Sequence, residues 1–216
     1  MKIGIIGTGM VGTTLGSKLV QLGHEVRIGS RSANNEKAVE WAKSNGSKAS
    51  CGTFSDAAAF GDVVFNCTAG NVSLAALRLA GSSNLKGKVL VDVANPLDFS
   101  KGMPPTLTVC NTDSIGEQIQ RAFPDAKVVK SLNTMNCKVM VEPFVVPGES
   151  NVFLAGNDSD AKSKVRDLLQ SFGWKAGTIV DLGDITASRG TEMILPLWLR
   201  LYGLYSDGSF NFRIVK

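Results

Sequence analysis

The chain has 216 residues with 23 basic and 19 acidic side chains, a formal net charge of +4, and is 44% hydrophobic and 19% charged. That balance excludes a disordered chain, and so modest and dispersed a charge leaves no nucleic-acid footprint. No charged-then-apolar leader opens the sequence and no apolar run approaches the roughly 20 residues that cross a bilayer, so no membrane association is expected.

Residues 2–7 form a short isoleucine-rich run bounded by glycines, which predicts a buried strand. Val11, Leu15, Leu19 and Leu22 then recur at helical spacing, and Gly23 ends the helix. A second strand is predicted at 25–29, a polar helix at 34–44, a weak strand at 47–51 and a short helix at 55–60. Apolar strands follow at 62–67 and 88–93, with a helix near 72–80 between them. A helix at 114–123 precedes another strand at 127–131. Strand and helix alternating through short connections predict an α/β chain with a Rossmann-type doubly wound parallel sheet, covered on both faces.

The texture changes between Pro143 and Gly148. Beyond it come a strand at 151–155, a helical face made of Ala161, Val165, Leu168, Leu169 and Phe172, and a strand at 178–182. A long apolar helix over 185–202 is expected to kink at Pro196, and a last strand at 209–215 is expected to close the chain. The organisation read from this is a main domain over 1–148 and a small C-terminal α/β extension over 149–216, which is too short to be counted on as an independent domain. Ile194, Leu195, Leu197, Trp198, Leu201 and Tyr202 make a stripe that either packs on its own domain or is wide enough to pack a second copy as a homodimer.

Gly7-Thr8-Gly9-Met10-Val11-Gly12 is a GxGxxG placed where the first strand ends and the first helix begins. In a dinucleotide-binding turn the first glycine permits the tight bend and the second lets backbone amides meet a pyrophosphate. The third lets helix and strand pack closely, and the helix start offers free N–H donors to phosphate. NAD-specific sites place Asp or Glu at the end of the second strand, but this chain has Gly29-Ser30-Arg31. A carboxylate repels a 2′-phosphate, whereas a hydroxyl and a guanidinium donate to it. Lys37 is a candidate third contact, with Asn34 and Asn35 competing for that place. The expected cofactor is NADP.

Ligands of such sheets bind beyond the carboxyl ends of the strands. There the chain offers Cys67-Thr68-Ala69-Gly70, Ala94-Asn95-Pro96 and Leu132 to Cys137, all poor in acids and bases. His24, the only histidine, falls in the turn before the second strand, at the opposite edge. Lys130 falls within a strand, and Lys138 reads as a surface charge. The four cysteines (Cys51, Cys67, Cys110, Cys137) lack metal-ligand or redox spacing, so reduced thiols, a cytoplasmic location and no metal site are expected. Without a general acid, hydride transfer between two redox rings is favoured over carbonyl reduction, because such transfer needs orientation more than a proton donor.

On Gly-Thr-Gly at 7–9, Gly-His-Glu-Val at 23–26, Gly-Ser-Arg at 29–31, Lys127-Val128-Val129, Gly156-Asn157-Asp158 and Asp181-Leu182-Gly183, the chain resembles the coenzyme F420-dependent NADP oxidoreductase family. It is also similar to the cytoplasmic reductase domain of the six-transmembrane metalloreductases, especially at Leu195-Pro196-Leu197. The resemblance implies that Thr8, Gly9, Met10 and Val11 hold the pyrophosphate and that Ser30 and Arg31 hold the 2′-phosphate. Lys37 joins them when a short insertion at 33–35 is allowed for. It further implies that Thr68, Asn95 and Cys137 lie along the nicotinamide, that Asn133 and Met135 shape the acceptor side, and that Phe210 reaches back from the tail. Where the deazaflavin-using members carry His-Thr-Ile-Pro, this chain has Asn133-Thr134-Met135-Asn136, so the departure falls on the acceptor pocket. The reading is an NADP(H)-dependent oxidoreductase passing hydride to or from a flavin-like or F420-type deazaflavin, with no side chain as acid or base. Reduction of a small carbonyl or imine, and a non-catalytic NADP(H) sensor, are the alternatives.

Overall fold

The computed structural model describes residues 1–216. In chain order, β1 (Lys2–Ile6), α1 (Met10–Gln21), β2 (Glu25–Ser30), α2 (Glu36–Ser44), β3 (Ala49–Thr53), α3 (Phe54–Phe60) and β4 (Val63–Asn66) build one half. They are followed by α4 (Gly70–Ala80), α5 (Ser82–Leu85), β5 (Val89–Asp92), the two-residue strands β6 (Leu97–Asp98) and β7 (Thr106–Leu107), α6 (Ile115–Ala122) and β8 (Lys127–Ser131). The remainder is α7 (Cys137–Val141), β9 (Val152–Gly156), α8 (Ser159–Ser171), β10 (Ile179–Asp181), α9 (Ser188–Met193) and α10 (Leu195–Tyr205). No helix is long and apolar enough to cross a membrane.

Eight strands form one sheet in the order β10-β9-β8-β5-β4-β1-β2-β3. The chain winds outward from β1 in one direction through β2 and β3, then returns to lay β4 on its other side, so the switch point lies between β1 and β4. Alternation along the strands feeds two cores. Ile3, Ile5, Phe65 and Val91 face a cluster closed by α1, α2, α7 and α8, while Ile6, Val64 and Leu90 face one closed by α3, α4 and α6. Trp41 of α2 seats against α1, with its indole N–H donating to the Ser17 hydroxyl at 3.0 Å.

Three expectations are corrected. The sheet is not wholly parallel, because β9 runs antiparallel to β8, with Ser131 opposite Leu154 and Val129 opposite Gly156. The connection between them leaves and re-enters at one edge. That connection holds the five-residue α7 and a 3-10 turn over Pro143–Val145, with no helix as long as those that cross between the parallel strands. The apolar stretch at 185–202 is not one kinked helix. It opens with a 3-10 turn over Ile185–Ala187, continues as α9 and restarts at Leu195, with Pro196 in the first turn of α10, where its missing N–H leaves no helical bond unmade. The tail 209–215 forms no strand. Asn151 ties it down instead: its N–H donates to the Phe212 carbonyl at 2.8 Å, and its side-chain oxygen accepts from the Ile214 N–H at 2.7 Å. Strands β9 and β10 extend the same sheet, and α8 shares the larger core with α1.

Candidate functional site

The turn from β1 into α1 separates the three glycines by what a side chain would meet. Gly7 has φ +119°, in the left-handed region, and a Cβ there would lie 2.8 Å from the Cys67 carbonyl oxygen. At Gly12 a Cβ would lie 2.3 Å from the Gly7 carbonyl oxygen, because α1 packs directly on the turn. At Gly9 it would meet nothing within 4 Å. Gly9 is the N-cap of α1, no side chain caps the helix, and its first turn holds no acidic residue. The positive end of the helix and its unsatisfied N–H groups therefore point into open space.

Two cavities meet at this turn. One, of about 630 Å³, is bounded by Gly9, Met10 and Val11, by Thr68 after β4, by Asn95 after β5, and by the β6–β7 hairpin residues Leu97 to Ser100. The other, of about 400 Å³, is bounded by Thr8, Gly9, Met10, Thr13, Lys37 and Trp41. Gly9 and Met10 belong to both. Lys37 thus shares a wall with Thr8, while Ser30 and Arg31 stand outside both cavities. Arg31 and Lys37 are exposed and enter no ion pair within the chain. Ser30 is buried, its hydroxyl donating to the Ser32 carbonyl and accepting from the Ser32 N–H. Asn35 is spoken for: its side-chain oxygen caps α2 by accepting the Ala38 N–H at 3.1 Å.

The other expected site residues divide. Thr68 and Asn95 reach the larger cavity, whereas Asn133, Met135 and Cys137 do not line it. Asn133 is 2% exposed; its amide donates to Asn95 Oδ1 at 2.9 Å and to the Thr191 carbonyl at 3.0 Å, and its carbonyl accepts from Asn95 Nδ2 at 2.8 Å. Met135 and Cys137 are part of the larger hydrophobic core. Phe210 stacks on Trp198 at 5.2 Å between ring centres, and the neighbouring Gly208 lies against the Asn136 side chain. His24, half-buried, sits 3.4 Å from the terminal amine; burial, that amine and Lys48 hold its pKa below the ordinary value.

Sequence reasoning missed the hairpin and a buried ion cluster. The hairpin's two-residue strands are too short to leave a periodic signal. Asp98, at the cavity wall, accepts from the Ser100 N–H and hydroxyl, which hold its carboxyl below the usual range. Burial pushes the Cys67 thiol well above its ordinary value. Beneath the cavity, Lys130 is wholly buried between Asp92 and Glu192, each at 2.7 Å. Burial alone lowers its pKa, but the two carboxylates hold it above the ordinary value. Burial likewise pushes the Glu192 carboxyl up, against three donors that favour its ionised form: Lys130 and the N–H groups of Ile115 and Gly116.

The family model described as NADP oxidoreductase, coenzyme F420-dependent, matches residues 2–96, the stretch from β1 to the wall at Asn95. The F420-dependent NADP reductase of Methanocaldococcus jannaschii is 31% identical over 100% of this chain and 99% of its own length. The chain belongs to the coenzyme F420-dependent NADP oxidoreductase family. As a member it is an NADP-dependent oxidoreductase. A crystal structure from Arthrobacter sp. FB24, described as a candidate F420-dependent NADP-reductase, superposes with TM-score 0.95 at 50% identity and full coverage of both chains. The metalloreductase STEAP3 of Rattus norvegicus is 26% identical over 91% of this chain, which spans 38% of that protein. The family match ends where the hairpin begins, so it covers the dinucleotide turn and not the hairpin or the segment around Asn133.

Proposed function

We propose that this family member transfers a hydride between NADPH and a ring-shaped acceptor, a deazaflavin of the F420 type or a flavin. The observation that carries the proposal is Gly9, whose missing side chain opens the junction of the two cavities. A dinucleotide fits this junction. The backbone of Thr8 to Val11 and the start of α1 receive the pyrophosphate. Arg31 and Ser30 take the 2′-phosphate, for which Ser30 turns its proton away from the Ser32 carbonyl, and Lys37 adds charge from α2. Thr68 and Asn95 orient the nicotinamide half in the larger cavity. Bound NADP(H) supplies the hydride.

The choice of acceptor rests on what the larger cavity lacks. Asp98 is ionised and donates no proton at neutral pH, and the Cys67 thiol stays protonated far above it. Lys130 donates to Asp92, Glu192 and the Ala94 carbonyl and has no free N–H. A carbonyl accepting hydride needs a proton donor, whereas ring-to-ring transfer needs the two rings held face to face. Asn133 and Met135 shape the acceptor side through the backbone and through Asn95, which Asn133 grips from below. Stopped-flow oxidation of NADPH with F420, FMN and a cyclic imine tests the proposal. Rapid oxidation with F420 or FMN is expected, and turnover confined to the imine would refute it.

A further inference from the structure

We propose that Lys130 is a positioning residue for hydride transfer, the hub of one hydrogen-bonded network that sets the spacing between the Thr68 and Asn95 walls of the larger cavity. The inference rests on the reading of that cavity as the nicotinamide site. Lys130 of β8 is the register partner of Asp92 of β5, so the two side chains leave adjacent strands side by side at the strand ends beneath the cavity. Its three N–H groups are all used: on Asp92 Oδ2, on Glu192 Oε1 and on the carbonyl of Ala94, a residue of the cavity wall.

Each partner carries the constraint onward. Asp92 Oδ1 accepts from the Asn66 amide at 2.7 Å and from the Ala94 N–H at 3.3 Å. Asn66 Oδ1 in turn accepts the Thr68 hydroxyl at 2.7 Å, so the opposite wall is tied to the same carboxylate. Glu192 brings in the C-terminal extension. It receives the Ile115 and Gly116 N–H groups at 2.9 and 3.1 Å, fixing α9 on the start of α6. The neighbouring Thr191 carbonyl receives the Asn133 amide, which also donates to Asn95. Thr68, Ala94 and Asn95 therefore hang on one buried ammonium from two sides. Lys130, Asp92 and Asn66 are fully buried and line neither cavity, so their influence passes through these walls.

Buried charges of this kind contribute little net stability relative to a neutral replacement of the same shape, whereas breaking them singly strands a carboxylate. A positioning role accounts for a buried cluster whose hydrogen bonds end on the Thr68 and Ala94 walls of the cavity. Lys130→Met alone leaves Asp92 and Glu192 unpaired, so the informative variant is the triple Asp92→Asn/Lys130→Met/Glu192→Gln. Three measurements apply. In the wild type without ligand, hydrogen exchange at Ala94, whose N–H donates to Asp92, is expected to be as slow as in the core of β5. In the folded triple variant that exchange accelerates roughly tenfold or more while Leu90 and Val91 keep their protection. Calorimetry is expected to give NADPH affinity within roughly threefold of wild type, since the phosphate contacts are untouched. The fluorescence of the bound dihydronicotinamide falls toward that of free NADPH. Wild-type exchange at Ala94 as fast as in the exposed hairpin, bound fluorescence unchanged in the variant, or a triple variant that does not fold would each overturn the proposal. A wild type that binds no NADPH would instead refute the nicotinamide reading, and the exchange measurement would still judge the network.

Discussion

Replacing Gly9 and Gly12 in turn separates the part of the glycine turn that serves a ligand from the part that serves the fold. Gly9 has φ −75° and ψ 177°, a conformation open to any residue, and a Cβ there meets nothing within 4 Å. Valine at this N-cap gains about 0.4–1 kcal/mol from a stiffer unfolded chain and loses a similar amount as a poorer cap. The melting temperature of Gly9→Val should thus stay within about 4 °C of wild type. Binding should behave otherwise, because the branched side chain fills the space through which the α1 amides reach the pyrophosphate. Losing two charge-assisted hydrogen bonds at about 1.5–3 kcal/mol each weakens NADPH by on the order of 10²–10⁴-fold. Gly12→Ala puts a methyl 2.3 Å from the Gly7 carbonyl oxygen, and α1 must move off the turn. Overpacking of this kind costs about 1–3 kcal/mol, or roughly 2–12 °C in a chain of this size. Thermal melts and NADPH titration calorimetry on both variants make the comparison. A Gly9→Val protein that binds NADPH within roughly threefold of wild type would show that the dinucleotide lies elsewhere.

Arg31→Ala should weaken NADPH roughly ten- to hundredfold and leave NADH nearly untouched, with the wild-type preference shrinking at high salt because the guanidinium is exposed. Ser30→Asp should invert that preference, and equal weakening of both cofactors by Arg31→Ala would end the NADP assignment to this turn. His24→Gln should change NADPH turnover less than about twofold and leave no mark on its pH profile, since the imidazole packs by the terminal amine and not beside either cavity. The Arg121 guanidinium pulls Asp113 down to about 2. The stability this gives is present above the unfolded-state value of about 3.9 and is lost as pH falls through the folded one. The difference in melting temperature between wild type and Asp113→Asn should therefore be small and constant near neutrality and vanish below about pH 2; a difference that grows on acidification would reverse the sign. Leu197 and Tyr202 of the apolar stripe stand exposed on α10; we propose that a second copy packs there, so that Leu197→Glu sediments as a monomer, and a wild type that is already monomeric at micromolar concentration would end the proposal.

The pattern of residues by itself determined the dinucleotide half. Short apolar runs alternating with helical faces need only local spacing to be recognised, and a glycine turn between strand and helix is a contiguous motif. That is why β1 to β5, the turn at Gly7 to Gly12 and the end of β2 at Ser30 were legible. Strand direction was not, because Val152 to Gly156 has the same composition whichever way it pairs, and only its register against β8 shows that β9 runs antiparallel. Asn133, Met135 and Cys137 follow a strand end in sequence, but the packing of α7 and α9 turns them inward and gives the larger cavity to a hairpin too short to show any period. Lys130 was visible only as a cation inside an apolar strand. Its partners lie 38 and 62 positions away in sequence, at Asp92 and Glu192, and no spacing rule links them. A buried charge is satisfied by whatever the tertiary fold brings to it, and that is decided by how β5, β8 and α9 converge.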